Sequence, residues 1–215
     1  MRLHAPAAER NAAPILEQLR VLLPPSGTVV EIASGTGQHV ATFGAALPNL
    51  QFVPTEPDPG KHASIRAWTE TLSNVQEPRA LDVTAATWPV EAAAAMFCAN
   101  MIHIAPPEAT TGLLRGAGRI LAPGGVLVVY GPFRVEGRHT APSNAAFDES
   151  LRSRDPRWGI RDLDAVTAEA ATFGLARGEV VDMPANNKIV AFLRRRTGED
   201  AGPTLESTQG RSTGG

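Results

Sequence analysis

Residues 28–39, T-V-V-E-I-A-S-G-T-G-Q-H, constrain the fold more than any other stretch of the chain: a β-branched apolar run leads straight into a turn of small residues and a helix start. A buried strand feeding such a turn is the opening unit of an α/β sheet. Gly35 and Gly37 lack a β-carbon, so the backbone can turn sharply and come close to a ligand, with the amides of the following helix aimed at it. A dinucleotide fingerprint would need a third glycine at position 40, where Val40 stands. Glu31, inside the strand, would repel a pyrophosphate and suits a cationic, amine-bearing ligand.

The remaining elements follow in a regular rhythm. Residues 12–23 carry Ile15, Leu16, Leu19, Leu22 and Leu23 at helical spacing, with Pro14 in a first turn. After the glycine turn a helix is predicted over 38–46, then a short strand over 50–55 that ends at Glu56. That acid lies about 20 residues beyond the turn, the distance at which Rossmann-like folds place a carboxylate on a ribose, although E-P-D-P is also good turn chemistry. A helix over 59–72 and a brief strand over 80–83 come next, with Asp82 at the strand's end, where it suits either an adenine amino group or a surface turn. Residues 92–104 hold a strand that is apolar but for Asn100 and His103, as expected of a strand covered on both faces. A helix opened by Pro106-Pro107 and closed by A-P-G-G leads to the strongest strand signal, G-V-L-V-V-Y-G-P-F at 125–133.

Past that strand the rhythm breaks. Residues 134–161 form a long polar passage with a short helix over 144–154, of the kind that serves as a lid or binding loop. A helix from Asp162 to Phe173 stops at Gly174, and strands over 176–183 and 188–195 are joined by P-A-N-N, a hairpin signal. The prediction is a seven-stranded, mostly parallel Rossmann-like α/β sheet with the last strand reversed and helices on both faces. Residues 1–196 are read as one domain and 197–215, rich in Gly, Ser and Thr, as a disordered tail.

Composition narrows the function classes. A net charge of −2 supplies no bulk attraction to nucleic acid, and the single cysteine excludes four-cysteine zinc sites and C-x-x-C redox pairs. No metal site is expected. The N-terminus has no apolar core of a secretory signal, and the longest apolar stretch, 90–104, is interrupted and too short to cross a bilayer. A cytoplasmic protein without membrane or nucleic-acid partners is the expectation, of unknown oligomeric state.

These residues resemble the class I S-adenosylmethionine-dependent methyltransferases and, among them, the methyltransferase-like protein 26 family. The resemblance runs from Ala8 to Arg195 and rests on E-R-N at 9–11, E-I-A-S-G-T-G-Q-H at 31–39, N-M-I-H-I at 100–104, Y-G-P-F at 130–133, S-N-A-A-F-D-E-S-L-R at 143–152 and M-P-A-N-N at 183–187, among others. It implies S-adenosylmethionine as cofactor, with Glu31, Ala33, Ser34, Gly35 and Gly37 around the methionine part, Glu56 on the ribose, Asp82 and Val83 at the adenine, Asn100 and Met101 along the flank, and Asn11 closing over the methionine carboxylate. Ala33 stands where the superfamily usually has a glycine, so ordinary rather than left-handed backbone is expected there. N-M-I-H lacks the aromatic that would stack a flipped base.

His103 and Tyr130, near the carboxyl ends of strands, are the candidates for a base or orienting group. Ser143, Asn144, Arg152, Arg161, Asn186 and Asn187 are expected to roof the substrate end. The reading is methyl transfer to O, N or S of a small polar metabolite. A protein or RNA methyltransferase and a non-catalytic cofactor-binding module are the alternatives.

Overall fold

The computed structural model describes residues 1–196; the tail expected over 197–215 lies outside the described residues. Along the described residues the helices and strands alternate as far as β4 and then do not: α1 (Pro6–Leu22), β1 (Gly27–Ile32), α2 (Gln38–Ala46), β2 (Leu50–Pro54), α3 (His62–Thr69), β3 (Ala93–Ala99), α4 (Pro107–Ile120), β4 (Leu121–Gly131), β5 (Arg134–Val135), β6 (Arg138–His139), α5 (Pro142–Arg154), α6 (Leu163–Thr172), β7 (Leu175–Met183) and β8 (Asn187–Arg194). The main sheet has the order β2-β1-β3-β4-β8-β7. Its first four strands are parallel, and β8 runs antiparallel to both β4 and β7. The reversed last strand stands as expected.

The alternation of β-branched and aromatic residues sends each strand's side chains to two separate cores. On one face Val29, Phe52, Phe97 and Val128 pack with Ile15 and Leu19 of α1, Phe43 of α2 and Ile65 of α3. On the other, Val30, Met96, Leu127 and Val129 pack with Leu113 and Ala117 of α4 and Val166 of α6. Burying each large apolar side chain contributes roughly 1.5–3 kcal/mol, so this double burial holds the three-layer arrangement. No helix among the described residues is long and apolar enough to cross a membrane.

Among the described residues six strands, not seven, form the main sheet. The strand expected over 80–83 is absent because the chain beside β2 pairs only at isolated points, Phe52 with Val75 and Thr55 with Arg79. Pro78, between them, has no N–H to continue a ladder. Asn74 does the anchoring instead. Its buried amide donates to the carbonyls of Gly44 (3.0 Å), Leu47 (3.3 Å) and Leu50 (3.0 Å), tying the end of α2 to the start of β2. Asn74→Ala removes a donor from the buried carbonyls of Gly44 and Leu50 and is expected to lower stability by about 2–3 kcal/mol, read by urea unfolding followed through tryptophan fluorescence.

The first helix starts at Pro6, six residues earlier than its apolar spacing indicates, with Pro6 in the first turn and Pro14 internal. At the other end of the chain, Asp162 caps α6 through Asp164 N–H and Ala165 N–H, and Gly174 closes it at φ 72°.

Candidate functional site

The carboxyl ends of β1, β2, β3 and β4 share one edge of the sheet, and the chain leaves β1 in one direction for β2 and the other for β3. A crevice opens at that switch point. Two cavities fill it. The first, about 720 Å³, is bounded by Ala33 and Gly35 after β1, Glu56 after β2, Asp82 and Val83, and Met101 beyond β3. The second, about 730 Å³, lies between α1, the end of β4, α5 and the β7–β8 turn. Ile104 lines both.

The glycine turn is built by strain and by acceptors. Ala33 is left-handed (φ 53°), against the expectation of ordinary backbone there. The reason is local: the turn lets the Ser34 N–H reach Thr55 O at 2.8 Å, and this bond holds the residue where its β-carbon costs of order 1–2 kcal/mol. Gly35 N–H donates to Glu56 Oε2 at 2.8 Å. A β-carbon on Gly35 would enter open space with no atom nearer than Ala33 O at 4.0 Å, whereas one on Gly37 would meet Ile65 Cα at 2.7 Å. Gly35 therefore leaves room at the cavity, and Gly37 serves helix packing.

The two carboxylates differ sharply. Glu56 is 2% exposed and well supplied: besides Gly35 N–H, its Oε1 accepts from Asp58 N–H (3.2 Å) and Lys61 Nζ (3.1 Å). Glu31 is 3% exposed, and its Oε2 has no hydrogen-bond partner. Burial pushes its pKa up to about 8; the nearby Ser34 hydroxyl opposes the rise without completing a hydrogen bond, and the charge of Glu56 adds to it. Two orphaned oxygens, Glu31 Oε2 and Ser34 Oγ, thus sit beneath the turn. Such acceptors fit a cationic, hydrogen-bonding group.

Above β4, three side chains join. His39 Nε2 lies 2.6 Å from Asn11 Oδ1, and its ring stacks on Phe43. Burial lowers the His39 pKa to about 4, so the ring is neutral at pH 7 and its N–H donates to Asn11. The Asn11 amide then faces Tyr130, whose phenol pKa burial raises and that amide opposes. Tyr130 is therefore protonated at neutral pH.

Of the residues expected at the cofactor, Ala33, Gly35, Glu56, Asp82, Val83 and Met101 line the first cavity, and Asn11 and Asn100 the second. Glu31, Ser34 and Gly37 line neither cavity. Asp82 also makes the surface turn, accepting from Thr84 N–H at 2.8 Å and Thr84 Oγ1 at 2.7 Å. Of the residues expected at the substrate, Ser143, Asn144, Asn186 and Asn187 line the second cavity with Tyr130.

Arg152 and Arg161 do not line it. Arg161 donates to the carbonyls of Ile102 (2.8 Å) and Ala105 (2.5 Å), and Arg152 pairs with Asp148 at 2.9 Å. His103 is likewise removed from both cavities. It is fully buried, its Nδ1 accepts from Arg161 N–H at 3.2 Å, and burial together with the Arg161 charge lowers its pKa to about 3. The geometry makes it a tie between the turn after β3 and residues 159–161, not a base.

Sequence reasoning missed Lys61, five positions after the acid it pairs with, and Arg10 and Phe147 on the second cavity. Arg10 was within reach, since Ala7, Arg10, Asn11 and Pro14 have the spacing of one helix face.

Comparison with known proteins places these features in context. A family model described as a protein of unknown function, DUF938, matches residues 2–194. Among solved structures, an O-methyltransferase family protein from Burkholderia thailandensis aligns with a TM-score of 0.75 at 18% identity, covering 89% of this chain and 58% of that one. The mitomycin 7-O-methyltransferase MmcR gives 0.75 at 18%, covering 87% and 54%. Human N-acetylserotonin methyltransferase, solved in complex with S-adenosylmethionine, gives 0.73 at 13%, covering 88% and 53%. The chain spans a little over half the length of each, and the likeness establishes the Rossmann-like fold.

Proposed function

Since the chain belongs to the DUF938 family, whose description names no activity, we propose from its site that residues 1–196 form an S-adenosylmethionine-dependent methyltransferase domain acting on a small polar metabolite. The observation that carries this reading is the first cavity, set at the sheet's switch point with Glu56 on one wall and the strained turn at Ala33 and Gly35 on another. The methyltransferases among the structural neighbours support it, and the closer kinship with methyltransferase-like protein 26 suggested by the sequence is part of the same proposal.

S-adenosylmethionine, when bound, supplies a methyl group on a positively charged sulfur that departs as a neutral thioether. Glu56 and Asp82 would take the ribose and adenine, and Gly35 leaves the room for close approach. Glu31 and Ser34, buried and short of partners, would favour positive charge above them. Tyr130 and Asn11 hold the acceptor's orientation, since methyl transfer depends on an in-line approach. With His103 buried and Tyr130 protonated, neither candidate residue serves as a base near neutral pH. An acceptor that loses a proton would release it to solvent.

Titration calorimetry with S-adenosylmethionine tests the cofactor, and incubation with methyl-labelled cofactor and a cell extract tests the acceptor. Binding and label in the small-molecule fraction are expected. Label in protein or RNA would select a macromolecular acceptor, binding without any S-adenosylhomocysteine formed would select a non-catalytic module, and no binding would end the reading.

A further inference from the structure

The second cavity has an uneven chemistry. Its lining includes no Asp or Glu, and Arg10 is its only charged side chain. Among the described residues Arg10 makes no hydrogen bond or ion pair; the neighbouring Glu9 is turned to His4 at 3.1 Å. An exposed guanidinium aimed at a cavity without a counter-charge favours an oxyanion there.

A second observation concerns the opposite wall. Ile104 and Phe147 are 43% and 38% exposed, among the few large apolar side chains left open to solvent, and both line this cavity. Contact with an apolar ligand body would remove that surface from water. The rest of the lining is rich in amides and hydroxyls. Asn144, fixed by Asn186 O at 2.9 Å and Thr140 Oγ1 at 3.1 Å, anchors the β7–β8 turn, in which Ala185 and Asn186 are both left-handed.

We propose that the second cavity binds a small amphiphilic oxyanion, with its carboxylate or phosphate at Arg10, its apolar ring or chain against Ile104 and Phe147, and its polar acceptor group toward Tyr130 and Asn11. This deepens the methyltransferase reading and rests on it.

The test is ligand-observed saturation-transfer NMR and calorimetry on the full chain, with and without S-adenosylhomocysteine. The probes are 4-hydroxybenzoate, its uncharged isostere 4-hydroxybenzamide, phenyl phosphate, and glycolate, which lacks an apolar body. At least one of the two ring-bearing anions is expected to bind at least tenfold more tightly than the amide and glycolate, and the stronger of them identifies the anion class. Arg10→Gln is expected to erase the preference for acid over amide, and Phe147→Ala the preference for ring over glycolate, both with S-adenosylhomocysteine affinity unchanged.

Failure of both ring-bearing anions to bind more tightly than the amide, a preference that survives Arg10→Gln, or no binding by either ring-bearing anion overturns the proposal. Failure of S-adenosylhomocysteine to bind overturns the methyltransferase reading beneath it. Normal S-adenosylhomocysteine binding with indifference to probe charge overturns this inference alone.

Discussion

Glu56→Gln is expected to weaken S-adenosylmethionine binding at least a hundredfold, measured by titration calorimetry. The carboxylate holds three donors at once, Gly35 N–H, Asp58 N–H and the Lys61 ammonium. An amide of the same size keeps one oxygen but turns a nitrogen toward donors that need an acceptor. Either the Gly35 N–H loses its partner and the turn at the cavity loosens, or the Lys61 charge does. Losing an acceptor for a buried donor costs about 1–3 kcal/mol, more where a charge is involved, and here that loss adds to the loss of an ionised acceptor for the ribose. Glu56→Asp keeps the charge on a shorter arm and should recover part of the affinity. An affinity unchanged in Glu56→Gln would sink the cofactor assignment.

Binding of the same cofactor should tighten as pH rises from about 6 to 8, by up to roughly tenfold per unit, with a proton released on binding. The cause is Glu31, whose pKa stands at about 8 because burial opposes its charge, so that at pH 7 it is mostly a neutral carboxyl. A cation placed above it draws it to the ionised form, and the proton must leave. In the free protein the same shift acts on stability in a defined direction. Between the ordinary glutamate value of 4.5 and the folded value of about 8, the native state holds a proton that the unfolded chain has lost. Stability therefore falls as pH rises through that window.

Glu31→Gln, neutral at every pH, removes both effects. It should bind the cofactor more weakly at pH 8, show a flatter pH profile than the wild type, and unfold at higher urea at pH 8 by on the order of a few kcal/mol. Calorimetry in buffers of different ionisation heat, run on both proteins, isolates the proton that belongs to Glu31 from the cofactor's own amine.

Where local chemistry decides, the fold was legible in the residues. The apolar run of β1, the glycine turn and α2 follow from periodicity and from the backbone freedom of glycine, and α2 spans the residues its pattern indicates. The reversed β8 follows from the P-A-N-N hairpin. Where a distant partner decides, the pattern misleads. Residues 80–83 look like a strand, yet pairing along that edge is interrupted at Pro78 and replaced by Asn74. Ala33 carries a β-carbon and still adopts φ 53°, because Thr55, just past the end of β2, accepts the next amide.

The candidate site divides in the same way. Glu56 was visible from its distance to the glycine turn. His103 looked like a base because histidine at a strand end often is one, and only packing places it out of reach beneath Arg161. Arg10 stands out only once the fold assembles a lining without Asp or Glu from five separate elements.

The segment after β3 acts as a party wall. Ala99 and Met101 face one chamber, Asn100 faces the other, and Ile104 fronts both. Substitutions at Asn100, Met101 or Ile104 change the wall that the two chambers share, whereas changes confined to the second chamber fall on α1, the end of β4, α5 and the β7–β8 turn. Divergence in substrate choice should accumulate at Arg10, Phe147 and Asn187 before it touches Met101.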